Sequence, residues 1–427
     1  MALIQPAQPE QPQAGGPEEA RRRRKALRYA VPAAVVGVTA ATVGLVPALA
    51  DSGDPSLPSL TAEQLLTKIA ASDTQTVDGT VKITTDLGLP SALSGTTASG
   101  LFGGAAAPPS LGSPDASRAE PQRQLVQLLV GSHTLHVAAD GPDRQKISII
   151  QPAAEYSLIH DGTQLWAYDS SSNEAYHATL PQEQQHKAQP RQLPQDFPAT
   201  PQAAAQQILK AADGKSAITT DGTARVAGHS AYVLEVRPEY AQDSTIGAFR
   251  IAVDAKTGVP LKFTLEPKGG GKAIVDIAYT RVSFAKPAAS TFHFTPGKGV
   301  KVTEGKATQE PNGPRAGAGI GRPAFVGSGW DTVAVFSTKG ALPSGTLPFD
   351  GKDGRPGKAG KPGAEAKNDP AQLGAILGGF GKQVTGSFGT GTLFHTRLVN
   401  VLLTQDGTVY AGAVDESALT SAASTAH

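Results

Sequence analysis

Short turns between segments of alternating apolar and polar residues constrain the fold of this chain more than any other feature. Asp161-Gly162 separates two such segments, and Lys256-Thr257-Gly258 separates two more. A turn this short reverses the chain, so the strands that it joins pair antiparallel. The sequence therefore predicts an α+β fold that is mainly β and is built on an antiparallel sheet.

The predicted helices are few compared with the strands. Thr61 and Gln64 form a capping box ahead of an apolar stripe that includes Leu65, and Thr200 with Pro201 supplies the cap and first residue of a second helix. The apolar face of a helix has to be buried against another element. We therefore expect both helices to cover one face of the sheet.

Residues 1–50 have the order of an export signal. A basic block at residues 21–25 precedes an uncharged run at residues 29–50, which ends in an A-x-A pattern at residues 48–50. Two alternatives stay open, a cleaved signal peptide and a retained signal anchor, and in both the basic tail stays in the cytoplasm. We predict an extracytoplasmic protein of the cell envelope, either secreted or anchored by residues 29–50.

Changes in composition along the chain predict its domain organisation. A spacer follows the signal segment, and two folded regions are separated by a Gly- and Pro-rich linker. The predicted segments are the spacer at 51–60, a main β domain at 61–302 with a flexible insertion at 91–120, the linker at 303–322, and a small C-terminal β-rich domain at 323–427 with a low-complexity loop at 341–369.

Composition and motif spacing exclude several classes of function. The 427 residues contain no cysteine, and the formal net charge is +1. Thiolate sites are therefore ruled out, and nucleic-acid binding, which needs a strong basic excess, is not expected. His133 and His136 lie three residues apart on a predicted strand, so their rings point to opposite faces and are badly placed to hold one metal ion. With no nucleophile, metal or cofactor motif in the sequence, we predict that the protein is not an enzyme.

One aromatic pair stands out among the predicted strands. Trp166 and Tyr168 are two residues apart, which places them on the same face of one strand. With Asp161-Gly162 as the turn, Tyr156 is predicted to pair with Ala167 and to face the other way. Such an aromatic pair either packs in a core or binds a ligand.

Two hairpin motifs resemble a known family. One reads D-G-x-x-L-W-x-Y at residues 161–168, and the other reads D-x-x-T-G-x-P-L at residues 254–261. F-x-F-T-P at residues 292–296, followed by G-V-x-V at residues 299–302, is similar to the closing strand of that family, with Gly297 where a second proline is often found. Together these motifs resemble the LolA-like and RseB-like lipoprotein-carrier superfamily, which includes LppX, LprG and MucB, and the likeness extends over residues 61–302.

The resemblance implies a fold and a function. The fold is an incomplete antiparallel barrel covered by helices, and its members carry lipid or the acyl chains of lipoproteins in an apolar cavity, as carriers or sensors. RseB-like members instead act as regulatory modules that bind a membrane protein such as an anti-sigma factor. The small C-terminal domain predicted here is similar to the layout of RseB.

Apolar residues at alternate strand positions are the candidates for lining such a cavity. An apolar space between the sheet and its helices would hold an acyl chain. The alternative is a solid core formed by the same side chains. The candidate residues are Leu135, Val137, Ile147, Ile149, Phe249, Ile251, Leu261 and Phe263.

Overall fold

The structure is a computed structural model, and it describes only part of the chain. The described residues are 55–88, 117–121, 124, 128, 130–179, 199–212, 214–305, 324–337 and 381–425. The predicted signal segment, most of the insertion at 91–120, most of the linker at 303–322 and the loop at 341–369 lie outside these residues. Within the described part of the chain, no helix is both long and apolar enough to cross a bilayer.

Twelve strands form one large sheet, and all but one of its neighbouring pairs are antiparallel. The prediction of a mainly β fold with an antiparallel sheet is therefore confirmed. The strands are β1 Thr76–Thr85, β2 Gly131–Asp140, β3 Arg144–Ile150, β4 Glu155–Asp161, β5 Gln164–Asp169, β6 Glu174–Thr179, β7 Ser216–Val226, β8 His229–Pro238, β9 Ile246–Asp254, β10 Pro260–Pro267, β11 Val275–Ser283 and β12 Lys301–Gly305.

The large sheet is open, with the strand order β12-β6-β5-β4-β3-β2-β1-β11-β10-β9-β8-β7. Strand β1 lies in the middle, where it pairs antiparallel with β2 on one side and with β11 on the other. Hairpins connect consecutive strands on both sides of it. At one edge, β12 pairs parallel with β6.

Two helices contact the large sheet. Helix α1, Ala62–Ala70, begins at the capping box of Thr61 and Gln64, which is confirmed, and it contacts β7 and β8. Helix α2, Pro201–Ala211, begins at Thr200, whose side chain accepts a hydrogen bond from the backbone N–H of Ala203. Its buried face is made of small residues, Ala204 and Ala205, which allows it to lie close to β9, β10 and β11.

A second sheet of six strands forms the C-terminal part, with the order β13-β14-β18-β17-β16-β15. A third helix, α3, contacts β14, β17 and β18 and closes a small separate core around Leu393, Leu402 and Leu419. The elements are β13 Ala324–Val326, β14 Val333–Ser337, β15 Lys382–Gly386, β16 Gly389–Phe394, β17 Asn400–Thr404, β18 Thr408–Gly412 and α3 Glu416–Thr425.

The predicted closing strand is correct only in its last part, because residues 292–295 form no strand whereas residues 301–302 belong to β12. A 3-10 helix at Ala289–Phe292 occupies its start, and the strand that completes this edge is β12. Phe292 is buried, and the ring of Phe294 lies against those of Trp166 and Tyr168. Phe292 and Phe294 are therefore apolar because their side chains pack against other residues, and not because this segment pairs with a strand.

The predicted register of the β4–β5 hairpin is wrong by two residues. Tyr156 pairs with Asp169, and Ala167 pairs with Leu158. The two-residue loop begins at Gly162, which has a φ of 62°, so Asp161 belongs to the strand. A glycine at the first loop position satisfies the need for positive φ there. Tyr156 still faces away from Trp166 and Tyr168, as expected.

Candidate binding surfaces

The eight candidate cavity residues lie on one face of the large sheet. Leu135 is directly opposite Ile149 on the neighbouring strand, and Phe263 is directly opposite Ile251. Strands β1 and β11 connect the two groups through buried side chains such as Val81. The structure therefore brings all eight into one continuous hydrophobic core, as their alternation predicts.

The side chains of these eight residues are only 0–8% exposed. A gap that could admit a water molecule would expose the groups that line it, so exposure this low indicates close packing around them. Leu65 of α1, together with Ala204 and Ala205 of α2, covers part of this face. An acyl chain could therefore enter here only by displacing residues that now fill the core.

The aromatic pair lies on the opposite face of the large sheet. The Trp166 ring stacks on His177 at a centroid distance of 4.1 Å, and Phe294 lies 5.3 Å from both Trp166 and Tyr168. His177 Nδ1 is 2.8 Å from a carboxylate oxygen of Glu304 on β12. The pair therefore packs between the sheet and the segment that leads into its last strand.

The D-x-x-T-G-x-P-L motif forms a tightly hydrogen-bonded turn. One carboxylate oxygen of Asp254 accepts hydrogen bonds from the backbone N–H groups of Lys256 and Thr257 and from the Thr257 hydroxyl, at 2.7–3.0 Å. The other oxygen lies 2.8 Å from His229 Nδ1. Burial of the carboxyl favours a higher pKa, but these hydrogen bonds outweigh burial and lower the pKa of Asp254. The motif is thus explained by the structure of the turn.

The other histidines singled out in the sequence make separate local contacts. His133 Nε2 lies 2.8 Å from the carbonyl oxygen of Val130, and His136 Nε2 lies 3.3 Å from Asp78 Oδ1. Within the described residues, no group of three or more His, Asp or Glu side chains is arranged to hold a metal ion.

A backbone seam joins the large sheet to the C-terminal sheet. The N–H of Thr245 donates to the carbonyl of Ala413 at 2.9 Å, and the N–H of Asp415 donates to the carbonyl of Asp243 at 2.7 Å. Between them, Ser244 and Val414 form an isolated antiparallel bridge. We call the contact between residues 243–245 and 413–415 the seam. It holds one loop of each sheet in a fixed register.

Two side chains of the C-terminal part make further contacts with the large sheet and the residues beside it. The indole N–H of Trp330 donates to the carbonyl of Lys215 at 3.1 Å and to the Ser216 hydroxyl at 2.9 Å, and its ring lies 5.4 Å from Phe249. The Arg397 guanidinium pairs with the carboxylate of Asp86 at 2.7 Å and also reaches the carbonyl of Lys272. Sequence reasoning missed both contacts, because each one joins segments more than a hundred residues apart.

An open polar cleft of about 710 Å³ lies on the C-terminal sheet. One wall is the edge strand β15, and the other is a row of hydroxyl groups on α3 that includes Thr420 and Ser424. The ion pair between Lys382 and Glu416 connects the two walls at 2.8 Å. The cleft was not predicted, because α3 itself was missed in the sequence.

Comparison with known proteins confirms the resemblance expected from the sequence. A family model described as the MucB/RseB N-terminal domain matches residues 170–292. This range contains the D-x-x-T-G-x-P-L turn, helix α2 and the strands β7 to β11. No curated protein matches the chain.

Solved structures similar to this chain come from several bacteria. The Pseudomonas aeruginosa MucA/MucB complex is 16% identical over 85% of this chain and 96% of that chain, with a TM-score of 0.36. A LolA superfamily protein from Nitrosomonas europaea is 12% identical over 55% of this chain and 99% of that chain, with a TM-score of 0.20. An uncharacterized conserved protein from Thermus thermophilus is 11% identical over 57% of this chain and 98% of that chain, with a TM-score of 0.30.

Proposed function

From the match of residues 170–292 to the MucB/RseB N-terminal domain, we propose that this chain is an extracytoplasmic regulatory module that binds a membrane protein, such as an anti-sigma factor. The observation that favours a protein ligand is the filled core beneath the helices, where the eight candidate residues are 0–8% exposed. A module whose interior is occupied binds through its outer surface. The division into domains at 61–302 and 323–427 belongs to the same proposal.

The surface proposed for the partner is on the C-terminal sheet. Phe325 is 68% exposed on β13, which is an edge strand of this sheet. Among the described residues no strand pairs with the outer edge of β13, so its exposed aromatic side chain combines an apolar anchor with backbone groups that can accept a further strand. The seam supports this assignment, because it ties the C-terminal sheet to the domain that carries the family match.

The test is capture of membrane proteins from the native host by the full extracytoplasmic chain. We expect Phe325→Asp to reduce the amount of captured partner about tenfold or more, as for loss of a central anchor. Ile150→Asp is the matched control, since Ile150 is 48% exposed but lies on the large sheet. If the wild-type chain captures no membrane protein, or if both variants lose it equally, this function is wrong.

Binding of lipid or acyl chains, as a carrier or sensor, is the second candidate. It is favoured by the extent of the apolar face, which continues across strands on both sides of β1 beneath the helices. Because the face is filled, binding would need α1 or α2 to move outward. Mass spectrometry of the intact protein from its native host would detect the bound lipid. A lipid-free protein that also fails to bind a fluorescent fatty acid would rule this candidate out.

A binding role rather than a catalytic one is part of the proposal. The MucB/RseB family, whose model matches residues 170–292, acts by binding. The Asp254 and Thr257 side chains of one hairpin motif are hydrogen-bonded within its turn, and Trp166 of the other stacks on His177. Neither candidate function requires a cofactor or a metal ion.

A further inference from the structure

The open polar cleft runs along the outer edge of β15. Among the described residues, this strand pairs only with β16 and is an edge strand of the C-terminal sheet. The cleft is lined by all five residues of β15 and by one face of α3, and none of the described residues that line it belongs to β16. The cleft therefore lies beside the outer edge of β15 rather than over the pair of strands.

The register of the sheet shows which backbone groups of β15 point to this edge. Consecutive residues of a strand direct their N–H and C=O groups alternately to its two sides. The carbonyl of Thr390 on β16 accepts a hydrogen bond from the N–H of Gln405 at 3.1 Å, on the side away from β15. Its pairing partner Thr385 therefore directs its own N–H and C=O to the outer edge, and so does Gln383, two residues earlier.

Helix α3 presents hydroxyl groups to the cleft and apolar groups to the core. Residues three and four apart share one face of a helix. Leu419 is buried on one side of α3. The residues on the opposite side that line the cleft, at spacings of three and four, are Ser417, Thr420, Ser421 and Ser424. The hydroxyl groups of Ser421 and Ser424 have no hydrogen-bond partner within the described part of the chain, so both can donate to and accept from a ligand.

The charges of the cleft are paired with each other. Lys382 Nζ lies 2.9 and 2.8 Å from the two carboxylate oxygens of Glu416, and these are the charged residues among the described residues that line the cleft. His395 Nε2 lies 3.7 Å from the same carboxylate but is not part of the lining. A lining of hydroxyl groups and paired charges favours an uncharged polar ligand over an acidic or a basic one.

We propose that the cleft between β15 and α3 binds an extended peptide segment of a partner protein, which adds to β15 as a further strand. The N–H and C=O groups of Gln383 and Thr385 bond its backbone. Its uncharged polar side chains, such as those of serine, threonine and asparagine, meet the hydroxyl groups of Ser421 and Ser424. The site is at the opposite edge of the sheet from Phe325 and goes beyond the function proposed above, since it does not depend on the partner proposed there.

The size of the cleft fits such a ligand. A strand that pairs with the five residues of β15 is about 17 Å long. The cleft of about 710 Å³ lies within the range of about 300–1,000 Å³ that is typical of ligand sites. The outward N–H and C=O groups recur at every second residue of β15, which is the repeat of another strand and not of a compact ligand.

The test uses a phage-displayed library of random short peptides as the probe, selected on the full extracytoplasmic chain. We expect the selected sequences to be rich in uncharged polar residues and poor in charged ones. A synthetic copy of a selected peptide, followed by fluorescence anisotropy, gives the Kd. In hydrogen exchange, the amides of β15 should become protected when this peptide binds, whereas those of β13 should not change.

Thr385→Pro tests the backbone ladder. It removes the N–H that points to the outer edge, and the sheet tolerates the change because this N–H does not bond β16. We expect the Kd of the peptide to rise about tenfold or more, because a ladder hydrogen bond is lost and the proline ring obstructs the edge. Thr385→Ala keeps the N–H, so it should raise the Kd by less than about threefold.

A second variant keeps the test decisive if Thr385→Pro does not fold. Ser421→Trp fills the cleft from the exposed face of α3 and should also weaken binding about tenfold or more. Gln405→Trp is its control, because Gln405 is exposed in a turn of the same sheet and does not line the cleft.

Three results would overturn the proposal. The first is a library from which no peptide is selected, and the second is a peptide that binds Thr385→Pro and Ser421→Trp as tightly as it binds the unsubstituted chain. The third is a dimer of the chain that dissociates on Thr385→Pro, since a second copy would then occupy the edge of β15.

Discussion

Asp254 is a buried carboxylate that is stabilised by the turn that contains it. Asp254 is 1% exposed, yet its carboxylate accepts hydrogen bonds from the turn that follows it and lies beside His229. The sequence identified the position through its motif, but it could not distinguish a role in folding from a role in binding. That distinction depends on which groups surround the carboxylate, and His229 is 25 residues away along the chain.

Replacement of Asp254 by alanine should lower the free energy of unfolding at neutral pH by about 2–4 kcal/mol, because several donors lose a charged acceptor. The pKa of Asp254 is lowered on folding. Its contribution is therefore fully present above the ordinary value of 3.8 and is lost as the pH falls through the lower folded value. Urea unfolding from neutral pH into acid would measure both effects, with Asp73→Asn as the control, because Asp73 is exposed and lies just after α1. Equal loss in the two variants would contradict this role.

At the scale of helices and strands, the predictions are most accurate where the residues that determine an element lie close together in the sequence. The caps of α1 and α2 were found because Thr61 with Gln64, and Thr200 with Pro201, lie within one turn of each other. Helix α3 was missed because its residues are mostly Ser, Ala and Thr, with Leu419 as its only large apolar residue. The apolar candidate residues were correctly placed together, but alternation alone cannot show whether a face is hollow or filled.

The hairpin between β9 and β10 also positions a helix. Gly258 has a φ of 75°, and a Cβ atom added there would lie 2.5 Å from the carbonyl oxygen of Lys68 in α1. Gly228 has a φ of 83°, but a Cβ atom there would meet open space. An alanine would therefore be strained by the positive φ at either position, but only at position 258 would it also come too close to the helix.

Gly228→Ala should cost about 1–2 kcal/mol of stability from the positive φ alone. Gly258→Ala should cost at least about 1 kcal/mol more, because α1 has to shift away from the turn. Denaturant unfolding of both variants, with amide hydrogen exchange in α1 as a second readout, would check this. If the two variants are equally stable and α1 is equally protected in both, the close approach does not position the helix.

At the scale of the whole molecule, the contacts between the sheets could not be read from the sequence. Trp330 and Arg397 each lie in the C-terminal part, and their partners Lys215 and Asp86 lie far away in the chain. Nothing in their immediate neighbours distinguishes these two residues from other surface positions. Their role emerges only once both sheets are folded.

Arg397→Met should partly uncouple the C-terminal sheet from the large sheet. The chain has two tryptophans, so Trp166→Phe leaves Trp330 as a fluorescence reporter at the contact between the sheets. In that background we expect unfolding curves from fluorescence and circular dichroism to coincide, and to separate after Arg397→Met. Arg144→Met, which removes an ion pair with Asp140 inside the large sheet, is the control. Separation in the control alone would show that Arg397 does not couple the sheets.

The central position of β1 has a consequence for how the chain acquires its structure. Thr80 and Thr280, which are 200 residues apart in sequence, are joined by a hydrogen bond of 3.2 Å in the middle of the large sheet. Strand β1, the first strand of the large sheet in chain order, thus has both of its edges paired only after β11 has been synthesised. Pairing over so long a loop is slow, and exposed strand edges are prone to aggregate. The interval between the synthesis of these two strands is therefore when the growing chain most needs protection.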